Sequence, residues 1–404
     1  MVKRVGVIAT LAAALALVAA TVGSASRNAT AVSALCKQAG LAYAGPLSGP
    51  ASFLGIDQHH WELLFLNNWN AGKPIPGVPK GLKRVKLKDA LDGDSMLNPQ
   101  DAATVAGQIV SNKSILGLVG FAGSNENLGG GPILDRAHVA YVSGSATADS
   151  LTAKLQNFYR VVPNNSKQAN AGITYITKEL NLKKGAKVMV VDDGEAYGVG
   201  IANAAQKALQ RRGISVDRES LPESTSSATA DFSSLAQKAV ASGAKLVYAP
   251  SQVATDSQLF SQQLKTAGYT GGFMATDGSV SPSQFNFPGA YISFFGPNVT
   301  AISKPYLAAY TKLYGKTAAQ DPFGAPSFVA AEMLAVAISQ TCEKGTTSRA
   351  AVSNQLKSVQ LSTSILGYSM AFTNKADHNR GPSSGVTVFK IQPDGSYKQV
   401  YAAG

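Results

Sequence analysis

Two cysteines, four histidines and two tryptophans are all that this 404-residue chain holds of those types. It has no Cys-x-x-Cys. Its histidines, His59, His60, His138 and His378, form no His-x-x-x-His pair, so no motif for a structural or catalytic zinc ion is present and no metal is expected. Phosphate-binding signatures are missing too: there is no G-x-x-x-x-G-K-[ST], and Gly129-Gly130-Gly131 lacks the dinucleotide spacing, so no cofactor is expected. Charge is sparse, at 15% of residues, and unbalanced at +12. Its densest basic stretch, Lys80 to Lys88, has no interleaved aromatics on which bases would stack, which argues against a nucleic-acid partner. Arg84, Lys86 and Lys88 alternate there with Val85 and Leu87, the period of a half-buried strand whose edge lysines protect.

Long apolar runs are equally scarce. One spans Val5 to Val22, behind Lys3 and Arg4 and ahead of small residues at Ser24 and Ala25, so residues 1–25 read as a secretory signal peptide. No later run approaches the roughly 20 residues of a membrane span. The mature chain is therefore expected in the periplasm or at another extracytoplasmic face, without stable membrane insertion. In that oxidising compartment Cys36 and Cys342 can form a disulfide; two separate buried thiols are the alternative. Leu35 stands where a lipidation site carries a small residue, which argues against a lipid on Cys36.

What is present is a rhythm. Strand-like runs at Ala39 to Gly45, Arg84 to Leu91, Ile115 to Phe121 and Val139 to Gly144 alternate with helical spacings at Asp57 to Asn70, Gln100 to Asn112 and near Gly131 to Arg136. The alternation restarts with a helix at Asn170 to Leu180 and strands KVMVVDD, KLVYAP and GGFMATD separated by helices. Such alternation predicts βαβ units in parallel sheets, and two series in a chain of this length predict two α/β lobes. The last third adds AYISFFG, helices at Lys304 to Tyr314 and Pro326 to Glu343, and a terminal hairpin turning at Pro393-Asp394-Gly395.

Catalytic patterns are weak. Gly381-Pro382-Ser383-Ser384-Gly385 matches G-x-S-x-G, but it precedes a strand, whereas a nucleophile elbow needs a strand-to-helix turn. A serine hydrolase using Ser383 is thus the remote alternative, and the chain reads as no enzyme. Asp89, Asp92 and Asp94 depart from the calcium-loop pattern and are assigned to turns and capping.

The polar residues that remain stand at strand ends, where open α/β sheets bind ligands. Ser124 follows one strand; Ser145, Ala146 and Thr147 follow the next; together their hydroxyls and N–H groups form a neutral cradle for a carboxylate or amide. On the second series Tyr197 offers an aromatic wall and Asp277 an acid, a set that suits a ligand carrying opposite charges at its two ends.

The ordered signatures GPLSGP, DDGEAYGVG, DFSSL and TDG, behind a signal peptide, resemble the branched-chain amino-acid (Leu/Ile/Val) binding protein family of ABC-transporter components. The resemblance runs from about Ala39 to Val400. It implies a type I periplasmic-binding fold: two doubly wound parallel-sheet lobes joined by a three-strand hinge, residues 36–162 plus 297–368 and 163–296 plus 369–404. It also implies an ABC permease partner and a small amino acid or related amide as ligand. The carboxylate would be held by Ser124 and Ser145-Ala146-Thr147, the ammonium by Asp277, with Tyr197 as wall and Leu54 against the side chain. A sensor on the same scaffold without transport is the alternative. Asp277 is shorter than the Glu often found in the family, Ser251 to Ala254 lack an aromatic, and Asn125-Glu126-Asn127 is polar, with Glu126 read as facing solvent.

Overall fold

The computed structural model describes residues 34–221, 230–296, 302–315, 323–372 and 385–403. The signal segment and Ser383 lie outside them.

The first series builds β1 (Gly40–Gly45), α1 (Ser52–Asn70), β2 (Lys88–Asp94), α2 (Pro99–Ser111), β3 (Ile115–Gly120), α3 (Ser124–Arg136), β4 (Ala140–Ser143), α4 (Ser150–Lys154) and β5 (Phe158–Arg160). Its strands are all parallel, in the order β2-β1-β3-β4-β5. β1 and β3 are buried at every position. Helices cover both faces of such a sheet, which explains why these strands read as unbroken apolar runs. Asn98 caps α2, its side chain accepting from Gln100 N and Asp101 N, with Pro99 as first helical residue.

The second series supplies α5 (Asn165–Glu179), β6 (Lys187–Asp192), α6 (Ala196–Gln210), β7 (Ser215–Ser220), α7 (Ser233–Ser242), β8 (Leu246–Ala249), α8 (Ala254–Thr266), β9 (Gly272–Ala275) and β10 (Tyr291–Phe294). Parallel pairing in the order β7-β6-β8-β9-β10 repeats the winding of the first sheet. Each sheet therefore reverses direction once, between β1 and β3 and between β6 and β8, and the loops leaving those strands flank a natural ligand crevice.

After β10 the chain returns to the first sheet. It adds there α9 (Lys304–Tyr314), α10 (Ala325–Glu343), α11 (Arg349–Leu356) and a short antiparallel pair, β11 (Gln360–Leu361) with β12 (Met370–Ala371). It then passes back to the second sheet as the hairpin of β13 (Thr387–Ile391) and β14 (Tyr397–Ala402), antiparallel to β10 and to each other. α10 is long and apolar enough to cross a membrane, yet 89% of its most apolar window is buried. It is a core helix: Phe328 and Leu334 share one cluster with Leu41, Leu116 and Val119. Cys36 and Cys342 are joined by a disulfide, Cα–Cα 6.0 Å.

Two elements differ from the sequence reading. Residues 82–87 have no regular secondary structure and belong to no ladder; β2 starts only at Lys88, where β1 begins to offer partners. The alternating segment is tied instead to helices: Trp69 Nε1 donates to Val85 O (2.7 Å), Asn70 brackets Leu87 through both its amide atoms, and Val85 N donates to Ser339 Oγ (3.1 Å). α3 begins at Ser124, a full two turns before the expected start near Gly131, because its three glycines and Pro132 resemble a breaker in sequence. Their purpose is close packing. A Cβ on Gly129 would stand 2.2 Å from Pro99 O, and one on Gly130 2.5 Å from the Phe121 ring.

Candidate functional site

The loop after β1 is drawn tight so that α1 can reach across the crevice. Tyr43 Oη donates to Gly55 O (2.7 Å), and Gly55 is so close to the GPLSGP loop that a Cβ would lie 2.0 Å from Pro46 O. Leu54 is thereby buried in one apolar cluster with Ala122 from the first sheet and Ala249 and Phe295 from the second. At the end of β4, Ser143 Oγ donates to Phe121 O (2.6 Å) and accepts from Ala146 N (2.9 Å). Ser145 Oγ donates to Ala122 O (2.7 Å) and accepts from Gln58 Nε2 (2.9 Å) on α1. Ser124 Oγ accepts from Ala148 N (3.2 Å), which leaves the hydroxyl proton to be donated.

From the second sheet, Tyr197 stands in the first turn of α6 and Asp277 just past β9. Tyr197 Oη donates to Asp277 Oδ1 (2.6 Å) and lies 2.5 Å from Thr276 Oγ1; Gln168 Nε2 on α5 also donates to Asp277 Oδ1. Burial pushes the Asp277 carboxyl up to about 7 against the pull of these two donors, and it raises the Tyr197 phenol well above its usual range. The Asp193 carboxyl is likewise pushed up to about 7 by burial, although it accepts from Gln252 N and Glu195 N.

The two sets meet. Leu54, Ala122, Ser124 and Ser145 from one side and Tyr197, Gln252 and Asp277 from the other line one cavity of about 20 Å³. That is room for a single water, so any larger solute enters only when the two sides part. Asn125 Nδ2 reaches Glu195 Oε2 (3.4 Å) across the gap. Asn165, where the chain first passes between sheets, donates from its backbone to Thr147 O (2.8 Å) and from its side chain to Tyr197 O (3.2 Å). Both site loops are thus fastened to the crossing segment.

A family model described as periplasmic binding protein matches residues 38–396. The chain belongs to the periplasmic binding protein family. Among the relatives of this periplasmic binding protein are an amino acid binding protein of Pseudomonas aeruginosa and Leu/Ile/Val-binding protein homolog 3 of Brucella melitensis. The first is 28% identical over 59% of this chain and 60% of its own length; the second is 30% identical over 55% and 56%. The chain thus spans little more than half the length of these curated relatives. The leucine binding protein LivK of Thermotoga maritima superposes with a TM-score of 0.76, 20% identity, over 91% of this chain and 99% of its own. The fold is the type I periplasmic-binding fold.

Within this binding protein the predicted residues divide. Leu54, Ser124, Ser145, Tyr197 and Asp277 line the cavity. Ala146 and Thr147 lie behind it: the Ala146 N–H is taken by Ser143, while the Thr147 hydroxyl is fully buried with no hydrogen-bond partner. Glu126 does not face solvent. It is fully buried, accepts from Ser95 Oγ and from Gly123 N at the start of α3, and burial pushes its carboxyl up to about 7. Sequence reasoning missed Gln58, Gln168 and Gln252. Gln252 had a signal, since it follows the β8 strand at the sheet's reversal; Gln58 and Gln168 are helical glutamines with none.

Proposed function

We propose that this chain is the exported solute receptor of an ABC transporter, a non-enzymatic protein that captures a small amino acid or related amide between two lobes and presents it to a membrane permease. The observation that carries this reading is one cavity to which one sheet brings the Ser124 hydroxyl, whose proton is free to be donated, and the other brings the buried Asp277 carboxyl. Such a pair recognises a zwitterion by its two ends: Ser124 and Ser145 face the carboxylate, Asp277 the ammonium, and Leu54 and Tyr197 the remainder. Thr147, whose hydroxyl is unpartnered, joins the carboxylate side when the ligand enters. The family match and the amino acid-binding relatives support the same class of ligand.

We read the lobes as residues 36–162 with 297–368 and 163–296 with 369–404, and the burial of nearby side chains favours carrying the first lobe on to Phe372. Met370 and Phe372 are buried in its core. On this reading the chain passes between the lobes three times, the last two passages lying outside the described residues, and the ligand favours closure because only the closed form offers it both lobes.

The test is a thermal-shift screen of the mature protein against the amino acids, short amides and carboxylates, followed by calorimetry, since a ligand of the folded state raises its melting temperature. A shift with one amino acid, lost in Asp277→Ala and Ser124→Ala, is the expected outcome. No shift with any zwitterion refutes the reading.

A further inference from the structure

Away from the cleft, α1 and the edge strand β2 gather four ionisable side chains. His59, Asp89 and Asp92 present ligand atoms that all lie within 4.8 Å of one another, with His59 Nε2 3.0 Å from Asp92 Oδ1. In a regular strand, residues three apart face opposite sides. Asp89 and Asp92 face the same side because the β1–β2 register slips: Leu41 pairs with Asp89 and Ala42 with Leu91, leaving Ala90 as a bulge. The imidazole is held in plane by stacking on Tyr43, ring centroids 4.8 Å apart.

Behind this trio stands Glu62, one turn along α1 on the face that carries His59. It is fully buried, and neither carboxylate oxygen has a hydrogen-bond partner. Burial holds its carboxyl well above the usual range, and the negative charges of Asp89 and Asp92 add to the shift. Among the described residues no lysine or arginine offsets any of these three carboxylates. An unpaired buried carboxylate facing two more is costly, and the charge missing from the cluster is positive.

We propose that His59, Asp89 and Asp92 bind a divalent transition cation of the Zn²⁺ class, with Glu62 as the buried counter-charge beside it. One imidazole nitrogen among carboxylate oxygens suits Zn²⁺ or Mn²⁺ better than Ca²⁺ or Mg²⁺, which prefer oxygen alone. The Asp92 side chain is 41% exposed, so the cation has an entry path and water completes its coordination. Such an ion pins α1 to the edge of the sheet, and α1 is the helix that carries Leu54 to the cavity and Gln58 to Ser145.

Chelator-treated mature protein titrated with ZnCl₂ by calorimetry should bind one equivalent and melt at a higher temperature. Asp89→Asn, at a half-exposed strand position that folding tolerates, should weaken binding at least tenfold; His59→Gln should abolish it, and His138→Gln, at an exposed turn, should leave it unchanged. Glu62→Gln should weaken Zn²⁺ while raising the melting temperature of the metal-free protein. Circular dichroism establishes that each variant is folded. Absence of zinc binding, binding that survives His59→Gln and Asp89→Asn, or a preference for Ca²⁺ over Zn²⁺ overturns the proposal.

Discussion

If Asp277 receives a ligand's ammonium, affinity must follow its ionisation. Burial places that carboxyl at about 7, so in the ligand-free protein near pH 5 only about one molecule in a hundred carries the charge the ligand needs. Binding of a zwitterionic amino acid, which does not itself titrate between pH 5 and 8.5, should therefore weaken about 100-fold from the alkaline plateau to pH 5, roughly 2.7 kcal/mol. The bend should fall near pH 7. Glu126 and Asp193 are also pushed up to about 7, so native protein alone does not identify the titrating group. Asp277→Asn separates them, because the amide preserves the shape while removing the titration; it should bind weakly and with a flat pH profile. Isothermal titration calorimetry at half-unit pH steps provides the curve. A native affinity that does not change across this range, or a slope that persists in Asp277→Asn, refutes the assignment. The same shifts fix the sign of a stability profile. Carboxyls raised in the folded state hold protons that the unfolded chain releases above about pH 4, so ligand-free stability should fall as pH rises from about 4 to 7.

Thr147→Val removes a buried hydroxyl that has no partner, so urea denaturation should find the ligand-free protein unchanged or about 1 kcal/mol more stable while ligand affinity drops. Cys342→Ser opens a loop of sequence separation 306 and should cost about 2–5 kcal/mol, with dithiothreitol lowering the native melting temperature to the same value and leaving the variant's unmoved. Gly130→Ala forces a methyl group against the Phe121 ring and Ala102 O, a loss of about 1–3 kcal/mol that urea unfolding would register; a neutral result would mean that α3 shifts freely on α2.

Much of the architecture was legible because both sheets are buried on two faces. β1, β3 and β6 announce themselves as apolar runs, and α2 by its Asn98-Pro99 start. α3 was obscured because Gly129 and Gly130 serve close packing, which sequence cannot distinguish from a loop's need for freedom. The segment of Arg84 to Leu87 has the period of a strand but lacks a neighbour to pair with, a fact that depends on where β1 starts. Ser124, Ser145, Tyr197 and Asp277 could be found because strand ends are marked in sequence. Gln58 and Gln168 could not, since a glutamine within a helix acquires its partner only through packing across distant parts of the chain. His59 met Asp89 and Asp92 only through a bulge in β2, which no spacing rule encodes.

The bond between Cys36 and Cys342 lies just outside β1 at one end and in the last turn of α10 at the other, so nearly the whole cavity-bearing chain is enclosed in one covalent ring. A protease that nicks an exposed turn inside that ring produces no free fragment. Both halves stay linked, with each wall of the cleft still attached to the other, and the cut would show on a denaturing gel only after reduction. Where proteases reach the protein, a single scission need not scatter the pieces that make up its binding site.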